Sequence, residues 1–142
     1  MQTSSTTYLV SCVGQKRNCK CAARDLYVST WFVKARRYAE ASGRLWFILS
    51  AEHGLVPPGR LVEPYERTLN TMGIADRRAW AKRVDCDLAE IVPDLSQAIF
   101  LAGERYREFL VQHLAARSVT VSVPMAGLRI GEQLSWLTKH LP

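Results

Sequence analysis

The sequence predicts one α/β domain: three layers, α/β/α, around a mostly parallel sheet of about four strands. Its 142 residues are near the commonest size for a single domain. Short apolar runs alternate with amphipathic stretches of helical period along the whole chain. The apolar runs are continuous rather than alternating, as expected of strands covered on both faces.

Taken in order, residues 8–13 (YLVSCV) form a short buried strand after a polar leader. Residues 25–42 form a helix, with Asp25 as N-cap, Gly43 as C-cap, and Val28, Phe32, Ala35 and Ala39 on one stripe. Residues 45–50 are the second strand. Residues 51–74 form a loop far longer than most connections, which points to function. A helix over 75–92 presents Trp80, Val84, Leu88 and Ile91, and Pro93 ends it. Residues 98–102 are the third strand, and Gly103 turns into a helix over 104–116 with Tyr106, Leu110 and Leu114 aligned. Residues 119–123 are the fourth strand, stopped by Pro124. Ile130, Leu134, Leu137 and Leu141 mark the last helix, 130–141. No repeat, low-complexity segment or linker interrupts this order.

The apolar content of 48% supports a full core and excludes disorder. The first residues lack the basic and apolar regions of a secretory leader, and no apolar run approaches the roughly 18 residues that span a bilayer. The expectation is a cytoplasmic protein with reduced thiols and no membrane partner. The formal charge of +6 favours polyanions, nucleic acid or a nucleotide; the alternative is an ordinary soluble enzyme that happens to be basic.

In a parallel sheet the strand-to-helix loops share one edge, so a composite site is expected from residues 14–24, 51–74, the Gly103 turn and 124–129. The first loop, after Ser11 and Cys12, holds Lys16, Arg17, Lys20 and Arg24 with no acid before Asp25. A basic loop entering a helix suits a phosphate. It lacks the glycines and Lys-Ser/Thr pair of a P-loop. A solvated charged loop is the other reading. Cys12, Cys19 and Cys21 have the spacing C-x6-C-x-C with no nearby His, which is not zinc spacing, so no metal or other cofactor is expected. Cys12 reads as a small packing residue or as a nucleophile.

The second loop offers Ser50, His53, Glu63, Tyr65 and Thr68. A bend at Gly54 presents His53 to a pocket, unless His53 is a structural histidine. Pro57-Pro58-Gly59 is a stiff turn. Glu63 and Tyr65 flank Pro64: a carboxylate for positive charge or water, and a ring that stacks on a base or fills the core. Gly103 permits close approach, Tyr106 reads as core before ligand contact, and Gly127 with Gly131 brackets a helix start, a weak anion signal.

Residues 48–69, ILSAEHGLVPPGRLVEPYERTL, resemble the signature of the YaaA-like proteins, L-S-x-x-Y-G-L-L-x-P-x-D-x-I-x-P-Y-R. Leu49, Ser50, Gly54, Leu55, Pro58, Pro64 and Tyr65 correspond. His53 replaces a Tyr, Arg60 an Asp and Glu66 an Arg. The whole chain is similar to an uncharacterised bacterial and phage domain family that shares Ser11, Cys12, Lys16, Ala23, Asp25, Leu26 and Tyr27. Pro64, Tyr65, Thr68, Leu69, Gly103, Tyr106 and a final Pro-x-x-Gly-Leu-x-x-Gly belong to the same pattern. Accessory domains of archaeal tRNA-guanine transglycosylases carry a similar motif, and the layout is similar to uracil-DNA-glycosylase-type α/β folds. The resemblance implies peroxide-stress or DNA-binding relatives and work on nucleobases or nucleic acid.

The expected activity is therefore cleavage or exchange at an N-glycosidic bond. Asp25 or Glu63 is the carboxylate facing the sugar cation, and His53 is the acid or water-positioner. Tyr65 stacks on the base, and Lys16, Arg17 and Arg24 hold phosphate. Ser11, Cys12, Ser50, Thr68, Gly103, Tyr106 and Gly127 complete the candidate lining. The alternatives are a non-catalytic DNA- or RNA-binding module and a nucleotide-sensing or toxin–antitoxin-type protein.

Overall fold

The computed structural model describes residues 5–12 and 14–142. Residues 1–4 of the polar leader, and Val13, the expected end of the first strand, lie outside the described residues; residues 5–7, expected in the leader, belong to the first strand. The elements run β1 (Ser5–Ser11), β2 (Cys21–Ala22), α1 (Ala23–Leu26), α2 (Thr30–Ala41), β3 (Leu45–Ser50), β4 (Gly54–Val56) and β5 (Leu61–Val62). A 3-10 turn (Leu69–Thr71) follows, then α3 (Ile74–Ile91), β6 (Leu95–Leu101), α4 (Glu104–Arg107), α5 (Leu110–Ala116), β7 (Thr120–Ser122) and α6 (Ile130–His140).

The class is α/β. The main sheet has five strands in the order β4-β3-β1-β6-β7, one more than the sequence suggested. Four of them are parallel, with Leu9 opposite both Phe47 and Phe100, and β4 returns antiparallel to β3. β2 and β5 form a separate two-stranded ribbon. Side chains alternate between two cores, as the period of a strand requires. Leu9, Phe47, Leu49 and Phe100 pack with Trp80, Val84 and Leu88 of α3 and with Leu110 and Leu114 of α5. Val10, Trp46, Ile48 and Leu101 pack with Phe32, Ala35 and Ala39 of α2 and with Leu137 of α6. Each fully buried side chain of this size contributes roughly 1.5–3 kcal/mol.

The structure differs from the sequence expectations in four places. The segment 51–74 is not a plain loop; it contains β4, β5 and the 3-10 turn. The helix expected over 25–42 is broken. Tyr27 is extended, bridging to Lys16, and Val28 donates its N–H to the Gln15 carbonyl. Pairing with the first loop thus draws the chain straight, and the helix restarts at α2, where the Ser29 hydroxyl accepts from the Phe32 N–H. Asp25 is therefore inside α1 and not a cap. The helix expected over 104–116 is likewise two segments, α4 and α5. Val28, Ile91 and Ile130, placed on apolar stripes by periodicity, are exposed.

Candidate functional site around Tyr65

β1 lies between β3, its successor in the main sheet, and β6, so the strand order reverses across β1 and β6. Ligand crevices of open α/β sheets form beyond the carboxyl ends at such a reversal. Here the two ends are joined by the Gly103 N–H donating to the Ser11 hydroxyl at 3.4 Å. Cys12 follows, buried, its N–H bonded to the Leu49 carbonyl.

Ser50 ends β3 and is fully buried. Its hydroxyl donates to the Tyr65 hydroxyl at 2.7 Å and accepts the His53 N–H at 3.0 Å. Its carbonyl accepts the Trp80 indole N–H at 2.8 Å. The Tyr65 hydroxyl also meets the Tyr27 hydroxyl at 2.6 Å and the Cys12 Sγ at 3.3 Å. Burial, reinforced by Cys12, holds both Tyr65 and Tyr27 well above the ordinary phenol range. The same causes, burial first, push Tyr106 up to about 12, partly offset by hydrogen bonding to Thr68 and Leu69. The tyrosine hydroxyls here are neutral hydrogen-bonding groups, not phenolates.

The Tyr65 ring is shared as closely as its hydroxyl. The Lys16 ammonium stands 4.6 Å from its centroid and 5.7 Å from that of Tyr27. The His53 ring meets it edge to face at 5.3 Å and 88°. Burial lowers the His53 pKa, and Arg60 and Arg83 lower it further against an opposing pull from Glu52. His53 is thus held neutral near pH 7.

Two open clefts adjoin along Pro64 and Tyr65. The first, about 660 Å³, is lined by Lys16, Arg17, Tyr65, Glu66, Arg67 and Thr68 among others. The second, about 440 Å³, includes Lys20, Glu52, His53, Arg60 and Glu63. The first is net cationic; the second mixes cations, carboxylates and an imidazole.

The structure thus gathers Lys16, Arg17, Tyr65, Thr68, His53 and Glu63 around one ridge, with Cys12 and Ser50 buried beneath it, while Ser11, also buried, bonds to Gly103 instead. Tyr106 is buried, edge-on to Trp80. Gly103 and Gly127 lie apart, in a hollow of about 90 Å³. Asp25 and Arg24 line neither cleft. The Asp25 carboxylate accepts from Arg36 at 3.0 Å, and Arg24 stands 4.0 Å from Asp25. Residues that sequence reasoning gave no role are Tyr27, which completes the hydroxyl cluster, and Arg67, which closes the first cleft. Tyr27 belongs to a recognisable pattern, but nothing local announces a partner 38 residues away.

Among the described residues no group of three or more His, Cys, Asp or Glu side chains is placed to hold a metal ion, and no helix is long and apolar enough to cross a membrane. Residues 7–139 match the model of a family of unknown function, DUF6884, and the chain belongs to that family. No curated protein and no solved structure matches it.

Proposed function

We propose that this DUF6884 protein binds a nucleotide unit, free or within nucleic acid, across the Tyr65 ridge and cleaves or exchanges its N-glycosidic bond. The observation that carries the proposal is the sharing of Tyr65 by a net cationic cleft and a cleft bearing a carboxylate and a neutral imidazole. The cationic side suits phosphate, held by Lys16, Arg17 and Arg67. On the other side the C1′–N bond breaks and its electron pair leaves with the base. Glu63 faces the positive charge left on the sugar. His53, neutral, orients and deprotonates the water, or the incoming base, that bonds to C1′. Asp25 is occupied by Arg36, which leaves Glu63 as the carboxylate.

Tyr65 takes a different role from base stacking. Its ring already meets Lys16 and His53, so it positions both. The resemblance to YaaA-like and glycosylase-type proteins supports the same substrate class. We place the domain in a three-layer arrangement, α2 and α6 over one face and α3 and α5 over the other, working in the cytoplasm without a cofactor.

The test is base release from modified and unmodified DNA, RNA and nucleotides. Wild type is expected to release base, and Glu63→Gln to release it roughly a hundredfold more slowly while still binding. No release from any substrate, with binding unaltered in Glu63→Gln, overturns the catalytic proposal. One observation favours the second reading, a non-catalytic binding module: Glu63 is exposed to solvent rather than held in a dry pocket. Binding then falls steeply with salt and survives removal of Glu63 or His53.

A further inference from the structure

α3 carries Arg78, Lys82 and Arg83 as exposed side chains, none of which lines either Tyr65 cleft. Two hollows lie along it. The nearer, about 190 Å³, is lined by Arg67, Asp76, Ala79 and Arg83 among others. The farther, about 480 Å³, lies between α3 and α5 and includes Arg78, Ala79, Lys82, Phe109 and His113. Arg67 also lines the Lys16 cleft, and Ala79 lines both hollows. Each depression therefore adjoins the next, from Tyr65 past Arg67 to the groove between α3 and α5.

This path is cationic. Asp76 is the single acid among the described residues lining the two α3 hollows. Among the described residues, Arg67, Arg78, Lys82 and Arg83 form no ion pair, whereas Arg77 on the same helix is paired with Glu108 at 2.7 Å. Two of the guanidinium groups are held in place without being neutralised. Arg78 lies 4.4 Å over the Phe109 ring. Arg83 donates to the Glu52 carbonyl at 3.3 Å and rests on Gly54, where a Cβ would come within 2.8 Å of it. Lys16, Arg17 and Arg67 already suffice for the phosphate of one nucleotide. Further cations along a continuous path fit a row of phosphates.

We infer that the ligand is a polynucleotide strand whose backbone leaves the Tyr65 clefts past Arg67 and follows α3, with Arg83, Arg78 and Lys82 as phosphate contacts. The inference rests on the nucleic-acid proposal above and narrows it from nucleotide to strand.

Fluorescence anisotropy with single-stranded oligodeoxythymidylates and oligouridylates, from one to about ten nucleotides long, tests it without requiring any reaction. Affinity for at least one of the two polymers is expected to rise with length. Arg78→Ser with Lys82→Ser is expected to weaken the longest oligonucleotide about tenfold and to flatten its log–log salt slope by about 0.7 per lost contact. Binding of thymidine or uridine monophosphate stays as in wild type. Lys82→Glu, which leaves the Arg78–Phe109 contact alone, repeats the effect. Length-independent affinity for both polymers overturns the inference, even if free nucleotides are cleaved. Equally tight binding of polyglutamate also overturns it, assigning the path to an acidic protein. Absence of base release alongside length-dependent binding removes only the catalytic proposal.

Discussion

Over β1 and β3 the carboxyl edge of the sheet opens into clefts of about 660 and 440 Å³, whereas over β6 and β7 it closes to about 90 Å³. Both halves offer the same ingredients, strand ends followed by glycine and polar residues. They differ in what the chain does next. After β6 it turns at Gly103 directly into α4, so the helix covers the strand end. After β1 and β3 it makes long excursions that meet each other as the β2–β5 ribbon, Cys21 opposite Val62. That ribbon lets a wall stand away from the sheet, and the gap becomes the clefts. A carboxyl edge supplies positions for a site, but cover that is close enough abolishes it.

The open half of the edge depends most on Tyr65. Tyr65→Leu deprives buried Ser50 and Tyr27 of a shared partner and removes the ring beneath Lys16. A loss of about 2–4 kcal/mol is expected in denaturant unfolding. Tyr65→Phe keeps the ring and is expected to lose less stability while retaining Lys16 in place.

Next in size is a pair of substitutions that sets the two halves against each other. Lys16→Ala is expected to weaken binding of nucleoside monophosphate about tenfold by titration calorimetry, with little change in stability. Gly103→Ala is expected to leave affinity unchanged and stability within about 0.5 kcal/mol, because Gly103 has an ordinary negative φ and open space around its Cα. A large binding defect in Gly103→Ala would move the site to the β6–β7 half.

The smallest effect is a pH dependence. The folded-state pKa of His53 is below its ordinary value, so the unfolded chain binds the proton more readily. This residue's contribution to stability is therefore constant above about pH 6.5 and declines as pH falls through the lowered value. Denaturation midpoints of wild type and His53→Gln near pH 7.5 and pH 5 measure it; the wild type is expected to lose more on acidification.

The strands were legible because their signal is local. Residues 45–50 form a strand bounded as the apolar run predicts, and Trp80, Val84 and Leu88 are buried at helical spacing. β4 and β5 were not legible, since segments of three and two residues carry no period. The break before α2 was hidden because Val28 sits at a position that continues the apolar stripe, yet it is exposed. Lys16, Arg17, His53, Glu63, Tyr65 and Thr68 were singled out by residue type and loop position, which is why they recur around the ridge. Asp25 and Arg24 were singled out on the same grounds, but Arg36, on the next helix, takes up the Asp25 carboxylate.

The α/β class, the mostly parallel character of the sheet and the residue types that loops bring to one edge are legible in the chain itself. These follow from hydrophobic period and composition, which act within a few residues of each position. Folding selects which half of that edge stays open, which carboxylate is already bound, and that Tyr65 anchors its neighbours through ring and hydroxyl. Those outcomes depend on contacts such as Cys12 with Tyr65, 53 residues apart, and on Ser11 with Gly103, 92 apart. Local propensity carries no record of a partner that only folding brings near.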